Sequence, residues 1–190
     1  MHCVAEISKL TVRYGKNTVL HNFSAAFPKG SVTAISGRSG CGKTTLLSAI
    51  AGLLRPIQGS LSGFGTCSML FQEDRLLPFL TAIKNITVTT GCSENEVQTT
   101  LKQVGFDDED YNKVASALSG GMARRVAIVR TMLAESDTLI LDEPFKGLDD
   151  KTRTEVLAFV NTNRRERTTI IVTHDPRDAE DLHAEYLIHM

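Results

Sequence analysis

Residues Thr33–Ile50 read TAISGRSGCGKTTLLSAI. A β-branched apolar run enters this stretch and a leucine-rich segment leaves it. Between them lie Gly37, Gly40 and Gly42. Each glycine loses more backbone entropy on folding than any other residue. Bare backbone at this point therefore requires a reason, and the flanking residues supply it.

From Gly37 the text GRSGCGKT fits G-x-x-x-x-G-K-[ST], with Gly37, Gly42, Lys43 and Thr44 in the fixed places. It follows an expected strand, VTAIS, and opens an expected helix, KTTLLSAIAGLL, closed by Arg55-Pro56. That context is what gives the pattern its meaning. Backbone N–H groups of residues 38–44 turned inward form a cradle for phosphate oxygens. The helix N-terminus adds its dipole. The candidate nucleotide-binding residues are Gly37, Arg38, Ser39, Gly40, Cys41, Gly42, Lys43, Thr44 and Thr45. In such a loop the lysine reaches the β- and γ-phosphates and the Thr44 hydroxyl ligates Mg²⁺.

A second element narrows the chemistry. TLILDEP is an apolar strand ending in Asp142 and Glu143. An aspartate at the end of a buried strand holds the hydrated metal, and a neighbouring glutamate polarises an attacking water. The N-K-x-D pattern that reads guanine is absent.

The totals set bounds. The chain has 190 residues, 42% hydrophobic and 23% charged, with 21 basic and 22 acidic side chains and a net charge of −1. The length suits one domain, or a core plus a small subdomain. The charge balance leaves no electrostatic footprint for nucleic acid, so no nucleic-acid partner is expected. Cys3, Cys41, Cys67 and Cys92 form no C-x-x-C pair and have no His at metal-ligand spacing. They read as reduced thiols of a cytosolic protein. The start, MHCVAEISKL, carries no signal-peptide core, and no window approaches the ~20 apolar residues of a membrane span. A membrane role therefore requires a partner.

Along the chain, VAEISKLTVRYG and VLHNFSAAF read as strands, PKGS as a turn and GTCSMLFQ as a short strand. Leu80 to Ala134 is helical in pattern: TAIKNITV, SENEVQTTLKQVGF and SGGMARRVAIVRTMLAE. Ser93 and Glu96 have capping-box spacing. TLILDE and TTIIVTH are buried strands separated by a helix, DKTRTEVLAFVNTNRRE. Near-continuous apolar strands alternating with helices imply a mostly parallel sheet covered on both faces, interrupted by a helical insert. The strand-rich start implies an antiparallel β edge. The fold class is thus α/β. The expected division is a nucleotide-binding core at about 1–72 and 137–190 and a helical subdomain at about 73–136.

The stretch LSGGMARRVAIVRTMLAESDTLILDEPFKGLDD, from Leu118 to Asp150, closely resembles the signature region of the ATP-binding-cassette (ABC) ATPases. Other elements resemble that family in its order. Tyr14 in VRYG is similar to the aromatic that stacks on adenine. Gln72 in LFQED is similar to the Q-loop glutamine. Gly147, Leu148 and Asp149 are similar to the D-loop, and His174 in IVTHD to the switch histidine. The resemblance implies a P-loop NTPase with a helical signature subdomain, working as head-to-tail pairs with two ATPs between them. Lys43, Thr44 and Asp142, with Gln72, would bind ATP and Mg²⁺. Ser119, Gly120 and Gly121 would cap the γ-phosphate held by the other copy. Glu143 would be the general base, His174 the γ-phosphate sensor, and Gln72 the link to the helical insert. Taken alone, Tyr14 also reads as an ordinary strand aromatic, and His174 as a residue leading into a helix at Asp175-Pro176.

There are departures. Met122 stands where glutamine is commonest, Arg38 where proline is usual, and Lys146 where a small residue is frequent. The chain stops soon after His174, so a minimal cassette is expected. QEDRLLPFLT with LSGGM resembles the nitrate/sulfonate/taurine-type importers, although Phe79 stands where those have tryptophan. The implied partners are membrane-spanning subunits docking near Gln72–Leu80, a second ATPase subunit and a solute-binding protein. The implied place is the cytoplasmic face of the membrane. Two other classes stand beside the transporter ATPase: a non-transport ABC ATPase and a non-hydrolysing nucleotide-dependent scaffold. The stretch between Gln72 and Ser119 is too short for a coiled coil, and Glu143 and His174 weigh against the scaffold.

Overall fold

The structure, a computed structural model, describes residues 4–190; Cys3 lies outside the described residues. The chain divides into two compact units.

The first unit comprises the described residues up to Met69, with Ser136–Asp142 and Arg165–Met190. Strands β1 (Val4–Tyr14), β2 (Asn17–Pro28) and β4 (Gln58–Ser62) form an antiparallel sheet of their own, in the order β2-β1-β4. In β1 the buried apolar residues are Ala5 and Ile7, then Leu10 and Val12. Those pairs are out of phase for a period-two strand. A register shift between Ile7 and Leu10, with Lys9 at φ 49°, returns the second pair to the core.

The second sheet has the order β5-β6-β7-β3-β8, from β3 (Val32–Ser36), β5 (Cys67–Leu70), β6 (Thr138–Asp142), β7 (Thr168–Val172) and β8 (Tyr186–His189). β3 runs parallel to β7 and β8, and β6 parallel to β7. β6 and β7 are buried along their whole length, which is why their sequences do not alternate. Ile35, Leu46, Leu47, Ile140, Ile170 and Val172 belong to one apolar core with Phe27 and Phe64, whose rings meet edge to face at 5.5 Å. Helix α1 (Lys43–Ile50) is shorter than the expected KTTLLSAIAGLL. Gly52, at φ 71°, ends it: its N–H bonds the Ala49 carbonyl while that of Leu53 bonds Ser48, a Schellman termination. β4 and β8 have no counterpart in the sequence reading, and a short helix runs from Pro176 to Asp181, with Asp175 as its cap.

The second unit comprises Leu70–Glu135 and Glu143–Arg164. It contains α2 (Ala82–Thr90), α3 (Glu94–Gln103), α4 (Gly120–Leu133) and α5 (Asp150–Asn163). The side chains of Thr81, Ser93, Ser119 and Asp149 cap these helices, each accepting from the backbone N–H three residues on. α5 packs on α3 and α4. Among the described residues no helix is long and apolar enough to cross a membrane.

Candidate functional site

In the first unit, three strands deliver their carboxyl ends to one edge. Ile35 and Asp142 both lie opposite Val172 in the parallel register. The glycine loop, the Asp142 carboxylate and the Thr173–His174 turn therefore emerge side by side, where parallel α/β sheets place their ligands.

Lys43 begins α1 and is 7% exposed. Its Nζ donates to the carbonyls of Gly37 at 2.8 Å and Arg38 at 3.0 Å, so the ammonium is held across the mouth of its own loop. Gly42, the residue before α1, has φ 106°. A Cβ there would lie 2.9 Å from Leu20 Cδ2 and 3.1 Å from Val19 Cγ1. Gly40, at φ 79°, has open space around it, and Arg38 and Ser39 are exposed. Cys41 and Thr45 are half-buried, Cys41 with its Sγ 3.9 Å from Lys43 Nζ.

Thr44 is exposed, and its Oγ1 stands 3.4 Å from Oδ2 of the buried Asp142. That is longer than a good O–H···O bond. The pair offers two hard oxygens with slack between them, a donor set suited to Mg²⁺ together with phosphate oxygens and water. His174 is exposed on the rim of a cavity of about 340 Å³ that Ser36 and Pro176 also line. The turn carrying it is fixed by residues the sequence reading missed. Buried Thr173 donates to Asp178 Oδ2 at 2.6 Å and accepts from the Asp175 N–H at 3.0 Å. Tyr14 ends β1 and is 52% exposed.

In the second unit, Gln72 is exposed, two residues beyond β5. Glu143 is half-buried at φ 51°. Ser119 and Gly120 are exposed at the start of α4. A Cβ on Gly120 would meet nothing within 4 Å, and one on Gly121 only Leu148 Cδ2 at 4.0 Å. Asp149 is exposed and caps α5, accepting from the Thr152 N–H at 3.0 Å and the Thr152 hydroxyl at 2.7 Å. Those bonds hold its carboxyl below the ordinary aspartate range. The sequence reading also missed Arg124. Its signal was a charged residue four positions before Ile128, on the apolar face of α4.

The family model for ABC transporters matches residues 20–146. The chain belongs to the ABC transporter family. It is 38% identical over 182 residues to the aliphatic sulfonates import ATP-binding protein SsuB of Burkholderia ambifaria, covering 91% of this chain and 57% of that protein. The protein of the same description from Corynebacterium glutamicum is 38% identical over 184 residues, covering 92% of this chain and 75% of its own length. The chain thus spans little more than half the length of some curated relatives. Among solved structures, a dimeric bacterial ABC transporter cassette superposes with a TM-score of 0.86 at 24% identity, covering 98% of this chain and 94% of that one. A dimeric post-hydrolysis state of the same cassette, bound to ADP and Pi, gives 0.87 at 24% identity. The fold is that of a P-loop NTPase cassette, with a mostly parallel sheet, an antiparallel sheet and helices.

Proposed function

We propose that the chain is the ATP-hydrolysing subunit of an importer and works as a pair of copies. The observation that carries the reading is the cradle itself. Lys43 is held across the loop by two carbonyls, and the Thr44 hydroxyl faces the Asp142 carboxylate. In this reading residues Gly37 to Thr45 bind the phosphates through backbone N–H groups and Lys43, while Tyr14 stacks on adenine. Thr44, Asp142 and Gln72 would hold Mg²⁺, which when bound would neutralise charge on the phosphates. Glu143 takes the proton of the attacking water, and His174 contacts the γ-phosphate.

The pairing rests on Gly120 and Gly121. Neither needs to be bare for packing within the chain. Backbone exposed at a helix start, beside the Ser119 hydroxyl, suits a phosphate brought by another copy. Completion of the site on closure couples hydrolysis to movement.

The family and the relatives' role in aliphatic sulfonate import support a transport role, with membrane-spanning subunits as partners and the cytoplasmic face of the membrane as the place of action. We place the docking surface near Gln72–Leu80, where Phe79 is 89% and Leu77 51% exposed. A solute-binding protein would deliver the solute, whose identity resides outside this chain.

The test is Glu143→Gln, sized by light scattering with and without MgATP. ATP is expected to convert monomer to dimer, and Ser119→Arg in the same background to abolish the dimer. Absence of nucleotide binding overturns the reading. Phosphate release by the wild type that Glu143→Gln does not reduce removes Glu143 as the base.

A further inference from the structure

Arg124 lies in the second turn of α4 and is 4% exposed. Its guanidinium serves two separate segments. Nη1 donates to the Phe71 carbonyl at 2.7 Å and to Asp74 Oδ1 at 3.0 Å. Nη2 donates to the Glu143 carbonyl at 2.6 Å, and Nε to the Pro144 carbonyl at 3.1 Å. One side chain thus grips the residue before Gln72, and also Glu143 with its successor. A planar fork of five donors can serve divergent acceptors at once, which an ammonium on a flexible stem does not do.

Glu143 has a reason to be gripped. Its φ of 51° is in a region that residues with a Cβ avoid. Such backbone persists only where the surroundings over-determine it. Its carbonyl accepts from Arg124 and from the Lys146 N–H at 3.2 Å. Arg130, on the same helix, provides a contrast. It donates to the carbonyls of Asp74 at 2.7 Å and Arg75 at 2.9 Å, and so ties the segment around Gln72.

We propose that Arg124 is a positioning residue for hydrolysis. It holds Glu143 in its strained backbone and keeps it in step with the Gln72 segment, so that displacement of α4, which carries Ser119 at its start, reaches both. The proposal rests on the reading of the chain as an ATPase with Glu143 as base.

The experiment compares Arg124→Lys, Arg124→Gln and Arg130→Gln with wild type in the full chain. It reads kcat and KM for MgATP, with Glu143→Gln as zero, and backbone hydrogen exchange. Both Arg124 variants are expected to lose at least about tenfold in kcat, with Lys retaining more than Gln. KM should stay within about twofold, because the phosphate cradle is not touched. Arg130→Gln should stay within about threefold of wild-type kcat. Exchange needs no turnover. It should rise at 143–146 and 71–75 together in the Arg124 variants, at 71–75 alone in Arg130→Gln, and stay low through α4 in all. Unchanged exchange at 143–146, or unchanged kcat, in Arg124→Gln overturns the proposal. Wild type that neither binds nor hydrolyses ATP, with the exchange pattern intact, overturns the functional reading instead.

Discussion

Asn85 is 1% exposed inside α2, and its replacement has a cost that can be worked out bond by bond. Its Oδ1 accepts from the Leu77 N–H at 2.7 Å. Its Nδ2 donates to the carbonyls of Leu77, Leu80 and Thr81, each at 3.1 Å. In Asn85→Ala none of these carbonyls is left alone. Leu77 O still accepts from Leu80 N, Leu80 O from Ala115 N, and Thr81 O from the backbone N–H of residue 85. The orphan is the single Leu77 N–H, which costs about 1–3 kcal/mol. Unfilled space adds about 1 kcal/mol, for a total of about 2–4 kcal/mol.

Asn85→Asp separates the two halves of the argument. It returns an acceptor to Leu77 N–H but sets a buried carboxylate against three carbonyl oxygens. Burial and those dipoles raise its pKa above the unfolded value. The folded state then binds more protons than the unfolded state between the two pKa values, so stability falls as pH rises through that interval. The deficit of the Asp variant is therefore expected to be larger at pH 8 than at pH 5, and that of Ala to be the same at both. Urea unfolding followed by helical circular dichroism measures this. A deficit for Asn85→Ala below about 0.5 kcal/mol, the range of an ordinary surface change, would refute the orphan argument. An Asp variant with equal deficits at both pH values would refute the electrostatic one. Because Asn85 holds residues 77–81, both variants should also weaken binding to a membrane partner that engages Phe79.

Three further outcomes follow. Gly42→Ala places a Cβ against Leu20 and Val19 at φ 106° and should destabilise the chain by about 1–3 kcal/mol while lowering MgATP affinity, read by thermal melts and nucleotide titration. Asp149 has a folded pKa lowered by its bonds to Thr152, so its stabilising contribution is complete above the unfolded pKa and is lost as pH falls through the folded one. Asp149→Asn should remove that part of the acid dependence of unfolding below about pH 4, and an unchanged profile would count against the cap. Cys41 lies within the phosphate loop, so MgATP should slow its alkylation; equal rates with and without nucleotide would show that the ligand does not cover it.

The glycine loop before α1, the acidic end of β6 and the capped start of α4 were legible in the sequence because their residue types are demanded locally. Backbone that must touch phosphate needs glycine, a helix start needs a capping serine or aspartate, and a fully buried strand needs an unbroken apolar run. The caps at Ser93 and Ser119 and the buried β6 and β7 are of this kind. The strand order β5-β6-β7-β3-β8 was not legible, since it joins segments distant in the chain. Nor was the early end of α1, where Gly52 outweighed two further leucines. Asn85, Arg124 and Thr173 looked like ordinary polar residues, and only the tertiary structure gives them their partners. Whether a buried polar group is a fault or a clamp depends on which carbonyls the fold brings within 3 Å of it, and periodicity along a chain carries no information about distance across it.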